Sequence, residues 1–123
     1  MEASQISVVS IPVSDQDRAK AFYVDVLGFE VLADTPMEEG ARWVMLRPRG
    51  GGASIALVTW FPRMQPGTLS GTVLSVGGIE QAVGHLRERG ALAADAQIQE
   101  AAWGRWVTIQ DPDGNGWVIQ ENR

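Results

Sequence analysis

Polar and apolar positions along the chain change period in a fixed order, and the order occurs twice. Residues 6–13 are rich in β-branched side chains and predict a strand that ends where Ser14-Asp15 opens a helix. Through that helix Ala19, Phe22, Tyr23, Val26 and Leu27 recur at the spacing of one buried face. Ser14 is placed to cap it, Asp17 completes a capping-box-like pattern, and Gly28 is placed to end it in the left-handed conformation. Segments 29–33, 41–47 and 53–60 then predict three strands, the last two joined by Gly50-Gly51-Gly52.

The second half repeats this grammar. Residues 72–76 predict a strand, and Ile79, Ala82, Val83 and Leu86 form the stripe of a helix that Gly90 ends. Strands follow near 97–101, 105–109 and 116–120. The triplet Arg42-Trp43-Val44 returns 63 residues later as Arg105-Trp106-Val107, and the same offset carries Ile11 to Leu74, Val13 to Val76 and Ala19 to Ala82. The prediction is one α+β domain over residues 1–123, made of two tandem βαβββ modules at about 5–60 and about 71–121. A linker at about 61–70 joins them, with Phe61-Pro62-Arg63-Met64-Gln65-Pro66-Gly67 at its heart. Each module sets one helix against one face of a four-stranded sheet, leaving the other face for the partner module, a second chain or a ligand. Two such sheets facing each other would form a cup.

Composition narrows the chemistry. The absence of cysteine removes disulfides, thiolate metal sites and cysteine nucleophiles. A net charge of -5 argues against nucleic acid as a partner, while the nine scattered arginines leave room for a small anion held by one or two of them. An acidic surface would otherwise favour cationic ligands. No apolar run approaches the roughly 20 residues of a membrane span, and Met1-Glu2-Ala3-Ser4-Gln5 lacks the pattern of a signal peptide, so the expectation is a cytoplasmic protein with no membrane partner.

The run from Val9 through Ile11-Pro12-Val13-Ser14-Asp15 to Leu27-Gly28-Phe29, with the turn Asp111-Pro112-Asp113-Gly114-Asn115, resembles the vicinal oxygen chelate superfamily. That superfamily includes glyoxalase I, extradiol dioxygenases, fosfomycin-resistance enzymes and bleomycin-binding proteins, and the resemblance covers essentially the whole chain. It implies the glyoxalase/bleomycin-resistance/dioxygenase fold with a cup-shaped curved sheet, and it leaves the activity open. Metal-dependent members carry ligands at four cup positions. The resemblance places these at Val8, Ala56, Gly71 or Thr72, and Val118, none of which offers a suitable lone pair. The expectation is therefore no metal, no other cofactor, and neither glyoxalase I nor dioxygenase activity.

If Val8 and Val118 face the cup, strand alternation puts Ser10, Pro12, Ser54, Ala56, Val58, Trp60, Gly116 and Gln120 beside them, with Ile55, Leu57 and Trp117 on the other face. Trp43, Trp60, Trp103 and Trp106 are candidates to stack on a planar ligand or close an interface, and Arg42 and Arg105 to hold a carboxylate or cover the rings. The candidate ligand-binding set is Val8, Ser10, Trp43, Ser54, Ala56, Val58, Trp60, Trp106, Val118 and Gln120. Asp111 and Asp113 read as turn formers, His85 as a solvated or locally packed group, and Glu38-Glu39 as a solvated pair.

The leading reading is a metal-independent small-molecule binding protein that sequesters an antibiotic or natural product, as a homodimer. The alternative is a metal-free isomerase or lyase in which Gln120, Glu121, Ser10 or Ser54 supplies hydrogen bonds or a base. Alternation turns Glu121 away from the face of Gln120.

Overall fold

The computed structural model describes residues 1–122, and its strands form two four-stranded sheets built alike. In the first, β1 (Val8–Pro12), β2 (Glu30–Pro36), β3 (Arg42–Arg47) and β4 (Ser54–Val58) lie in the order β1-β4-β3-β2. In the second, β5 (Thr72–Ser75), β6 (Gln99–Ala101), β7 (Gly104–Gln110) and β8 (Gly116–Asn122) lie in the order β5-β8-β7-β6. In each sheet the first strand runs parallel to the fourth and the other pairs are antiparallel. Helices α1 (Gln16–Asp25) and α2 (Ile79–Glu88) supply the crossovers that a parallel pair requires. This is the α+β architecture of two βαβββ units.

Alternation sorts each strand into two faces as expected. Ile55 and Leu57 of β4, and Trp117 and Ile119 of β8, turn toward the helices and join the buried core. The repeated triplet splits the same way in both sheets. Val44 and Val107 enter the core, so Trp43 and Trp106 project from the opposite face.

The helix starts differ from expectation. Asp15, rather than Ser14, caps α1: its Oδ1 accepts the amide N–H groups of Asp17 at 3.0 Å and Arg18 at 3.1 Å. The Ser14 hydroxyl instead donates to Asp113 at 2.6 Å, drawn off by the turn between β7 and β8. Asp17 does not reach back to the cap but accepts from Arg42 at 2.7 Å. Gly28 and Gly90 follow the helices with φ of 73° and 74°, as predicted. Strand β2 runs past Ala33 to Pro36 because a bulge between Val31 and Ala33 absorbs one residue and lets pairing continue.

The two halves share one core. Tyr23 of α1 is completely buried and meets Phe29 and Trp117 at ring separations of 5.7 and 5.6 Å. Its hydroxyl donates to Asp111 Oδ2 at 2.7 Å and accepts from Trp117 Nε1 at 2.9 Å. Burial and the Asp111 carboxylate hold its phenol far above the ordinary tyrosine range. Asn115 continues the connection, donating to the Pro12 carbonyl and to Asp111 Oδ2, both at 2.8 Å. Asp111 thus works as a structural acceptor, in keeping with a turn-forming role. Shifted back by the repeat offset, this turn corresponds to Pro48-Arg49-Gly50-Gly51-Gly52, in which Pro48, Gly50 and Gly52 stand where the second half has Asp111, Asp113 and Asn115. A cavity of about 420 Å³ lies there, bordered by Gly50–Gly52 and by Thr72–Ser75.

Candidate functional site

The faces turned away from the helices, here called the inner faces, hold most of the candidate residues. On the first sheet Ser10 pairs with Ala56, and Ala56 with Met45, so these three stand side by side on one face with Trp43, Ser54 and Val58. Trp60, just beyond β4, lies with its ring 6.3 Å from that of Trp43, and Phe61 follows 6.0 Å further on. Three aromatic rings therefore run along one side of this face. Ala56, Val58 and Ser54 are buried, at 0%, 2% and 8% exposure, so the accessible part of the set on this sheet is Ser10, the rings and the exposed Val8.

On the second sheet Val118 pairs with Val73 and with Thr108, which places all three on the inner face. Thr72 pairs with Trp117, a core residue, and so faces the helices; of the two positions suggested for the third family ligand, Thr72 is turned away from the inner face. Trp106 stacks on Trp103 with ring centres 4.7 Å apart and planes 12° apart. Gln120, opposite Trp106 in the register, donates to Asn122 at 2.6 Å. Each sheet thus carries an aromatic pair built around the repeated tryptophan, with the partner ring drawn from a different place in each half.

The repeated arginines do something other than hold a ligand or cover the rings. Alternation puts them on the helix side, opposite the tryptophans, and each is occupied by two of the chain's own carboxylates. Arg42 bonds Asp17 at 2.7 Å and Asp34 at 2.9 Å; Arg105 bonds Glu80 and Glu121, each at 2.7 Å. Asp17 and Glu80 are themselves related by the repeat offset, so this ion pair is duplicated with the fold. Hydrogen bonds from Lys20 and then Arg42 hold the Asp34 carboxyl below its usual range, and Arg105 does the same for Glu80. Glu121 also accepts from the amide of Ile79, so it fixes the start of α2 and leaves the inner face without a carboxylate from this position. His85 lies 2.7 Å from the Val26 carbonyl, satisfying the end of α1.

Some residues of the site escape a sequence reading. Phe61, Arg63 and Met64 have the neighbours of a linker, yet they fold against Ser10 and line a cavity of about 510 Å³ with Pro62. The signal for them was two large apolar side chains inside a segment otherwise suited to a loop. Trp103 follows β6 at 55% exposure, and no strand periodicity points to its stacking partner.

The positions where metal-dependent relatives carry ligands do not suit a metal. Val8, Ala56 and Val118 have aliphatic side chains, and Gly71 has none. Among the described residues no three His, Cys, Asp or Glu side chains converge at ligating distance. No helix among them is long and apolar enough to cross a membrane.

Fold and chain now place the protein among known families. The Glyoxalase/Bleomycin resistance protein/Dioxygenase superfamily matches residues 5–119, and the chain belongs to it. It is similar to TnmS3, an antibiotic-binding protein from Streptomyces sp. CB03234, with 39% identity, coverage of 100% of this chain and 99% of that one, and a TM-score of 0.92. It is also similar to a glyoxalase/bleomycin resistance protein of the same organism, 41% identical over 97% of this chain and 100% of that one at a TM-score of 0.81. Among natural sequences, YetH of Bacillus subtilis is 29% identical over 95% of this chain and 98% of its own length.

Proposed function

We propose that this protein is a metal-independent binding protein that sequesters a planar antibiotic or other natural product against its inner faces. The observation that carries the reading is the pair of aromatic sets, Trp43-Trp60-Phe61 and Trp103-Trp106, standing on the faces where metal-dependent relatives carry their ligands. Ring faces bind flat apolar bodies by dispersion and burial without changing them. Val8, Ser10, Ser54, Ala56, Val58, Val118 and Gln120 complete the proposed contact surface or support it from beneath. The similarity to an antibiotic-binding protein supports the same reading. Enzymatic turnover would need a base, and the acidic candidate on β8, Glu121, is turned away and bonded to Arg105.

A homodimer belongs to this proposal. Val8, Val73 and Phe61 are 39%, 51% and 45% exposed, which is apolar surface that a second copy would cover. The test is a thermal-shift screen of planar polycyclic natural products, with recovery of each stabilising compound. Unchanged ligand, with affinity lowered about tenfold in Trp60→Ala or Trp106→Ala, is the expected result. Recovery of a chemically altered compound, or binding indifferent to both substitutions, would overturn the proposal.

A further inference from the structure

The cavity against Ser10 has an asymmetric charge. Arg42, Arg47 and Arg105 are matched to carboxylates of the chain, and Arg87 to the Ala96 carbonyl. Arg63 has no such partner among the described residues, although the protein carries an excess of acidic groups. It lines the cavity with Ser10, Phe61 and Met64, and no acidic residue lines it. The Ser10 hydroxyl likewise has no hydrogen-bond partner among the described residues. One guanidinium and one hydroxyl, both unused, therefore meet at the end of the ring series that runs from Trp43 through Trp60 to Phe61.

A net charge of -5 gives the molecule a field that repels anions at long range. Within a Debye length of about 8 Å at physiological salt, a local unpaired cation outweighs distant charges. Arg18, Arg49 and Arg89 also lack carboxylate partners, but Arg18 and Arg89 border a cleft beside α1 and the end of α2, and Arg49 lies in the turn between β3 and β4, at the opposite end of those strands from Trp43 and Trp60. Only at Arg63 do an unpaired cation and an aromatic platform coincide among the described residues.

From this we infer that Arg63 is a specificity-determining residue, selecting ligands whose planar aromatic body carries an ionised oxygen. The inference rests on the binding role proposed above and specifies its ligand. The rings take the flat body, the guanidinium pairs with the carboxylate or acidic phenol, and Ser10 donates to a second oxygen.

Anthracene-9-carboxylate and anthracene-9-methanol test this, since they share a ring system and differ in charge. In calorimetric titration of the whole protein the carboxylate is expected to bind about tenfold more tightly, the low end for a charge-assisted pair because Arg63 is exposed. Arg63→Gln, a surface change, should bring the carboxylate down to the level of the alcohol and leave the alcohol unchanged. Trp60→Ala should weaken both. Equal binding by the natural protein, or a preference that survives Arg63→Gln, would overturn the role of Arg63 while leaving the aromatic platform standing. Failure of both compounds to bind would overturn the platform as well.

Discussion

Removing one oxygen atom from Tyr23 measures the connection between the halves. Tyr23→Phe keeps the ring and its contacts with Phe29 and Trp117 but deletes the hydroxyl that joins Asp111 to Trp117. Asp111 Oδ2 retains the Asn115 amide, whereas the Trp117 indole N–H, in a residue 4% exposed, loses its acceptor. Losing a hydrogen bond to a carboxylate costs about 1.5–3 kcal/mol, and stranding a buried donor about 1–3 kcal/mol. The two overlap, because one hydroxyl serves both partners, so the combined loss is about 2–4 kcal/mol. For a domain of this size that lowers the melting temperature by roughly 10 °C. Urea unfolding followed by circular dichroism is the assay, with Trp117→Phe and the double variant completing a thermodynamic cycle. A Tyr23→Phe protein within about 0.5 kcal/mol of the natural one would refute the reasoning, because surface changes produce that much.

The same residue gives a pH test. Its folded pKa is raised, so its contribution is intact below the unfolded value of about 10 and declines above it, by about 1.4 kcal/mol per pH unit, as the unfolded chain alone ionises. Tyr23 is the only tyrosine, so tyrosinate absorbance should appear with unfolding and not before it; ionisation of the intact fold near pH 10 would contradict the burial argument. Gly67→Ala should be more damaging than Gly28→Ala in thermal unfolding. Both glycines have positive φ, but a Cβ at Gly67 would strike the Asp113 carbonyl whereas one at Gly28 meets open space; equal losses would count against that close approach. Arg105→Gln should lower the melting temperature less than Tyr23→Phe, and less still at high salt, since its carboxylate pairs are partly open to solvent. Purified protein should contain no stoichiometric divalent ion and should melt unchanged after chelation; one tightly held ion per chain would end the metal-independent reading.

The fold was legible because its signals are local and repeated. β-branched runs, helical stripes and helix-ending glycines such as Gly28 and Gly90 each act within a few residues, and the duplication let one half check the other. Alternation likewise placed Ser10 and Ser54 on the face opposite Ile55 and Leu57. What was not legible depends on partners far along the chain. Ser14 is diverted from its cap by Asp113, 99 residues away, and nothing near Arg42 or Arg105 shows that Asp34 and Glu121 will occupy them. The segment from Phe61 to Met64 reads as a linker by composition and becomes part of a pocket only when it folds back over β1.

The Asp111–Asn115 turn and its glycine counterpart at Pro48–Gly52 make the seam between the halves unequal at its two ends. One end is latched, with Asn115 bonded to the Pro12 carbonyl; at the other, Gly52 and Ser75 border the same cavity. A dimer of identical single modules would have two equal ends, since one sequence would have to serve both. Joining two copies in one chain removes that constraint. One turn becomes free to fasten the molecule while the other is free to change: a side chain at Gly50 has room to enter without disturbing the latch, whereas Gly51 and Gly52 are held to glycine by their positive φ.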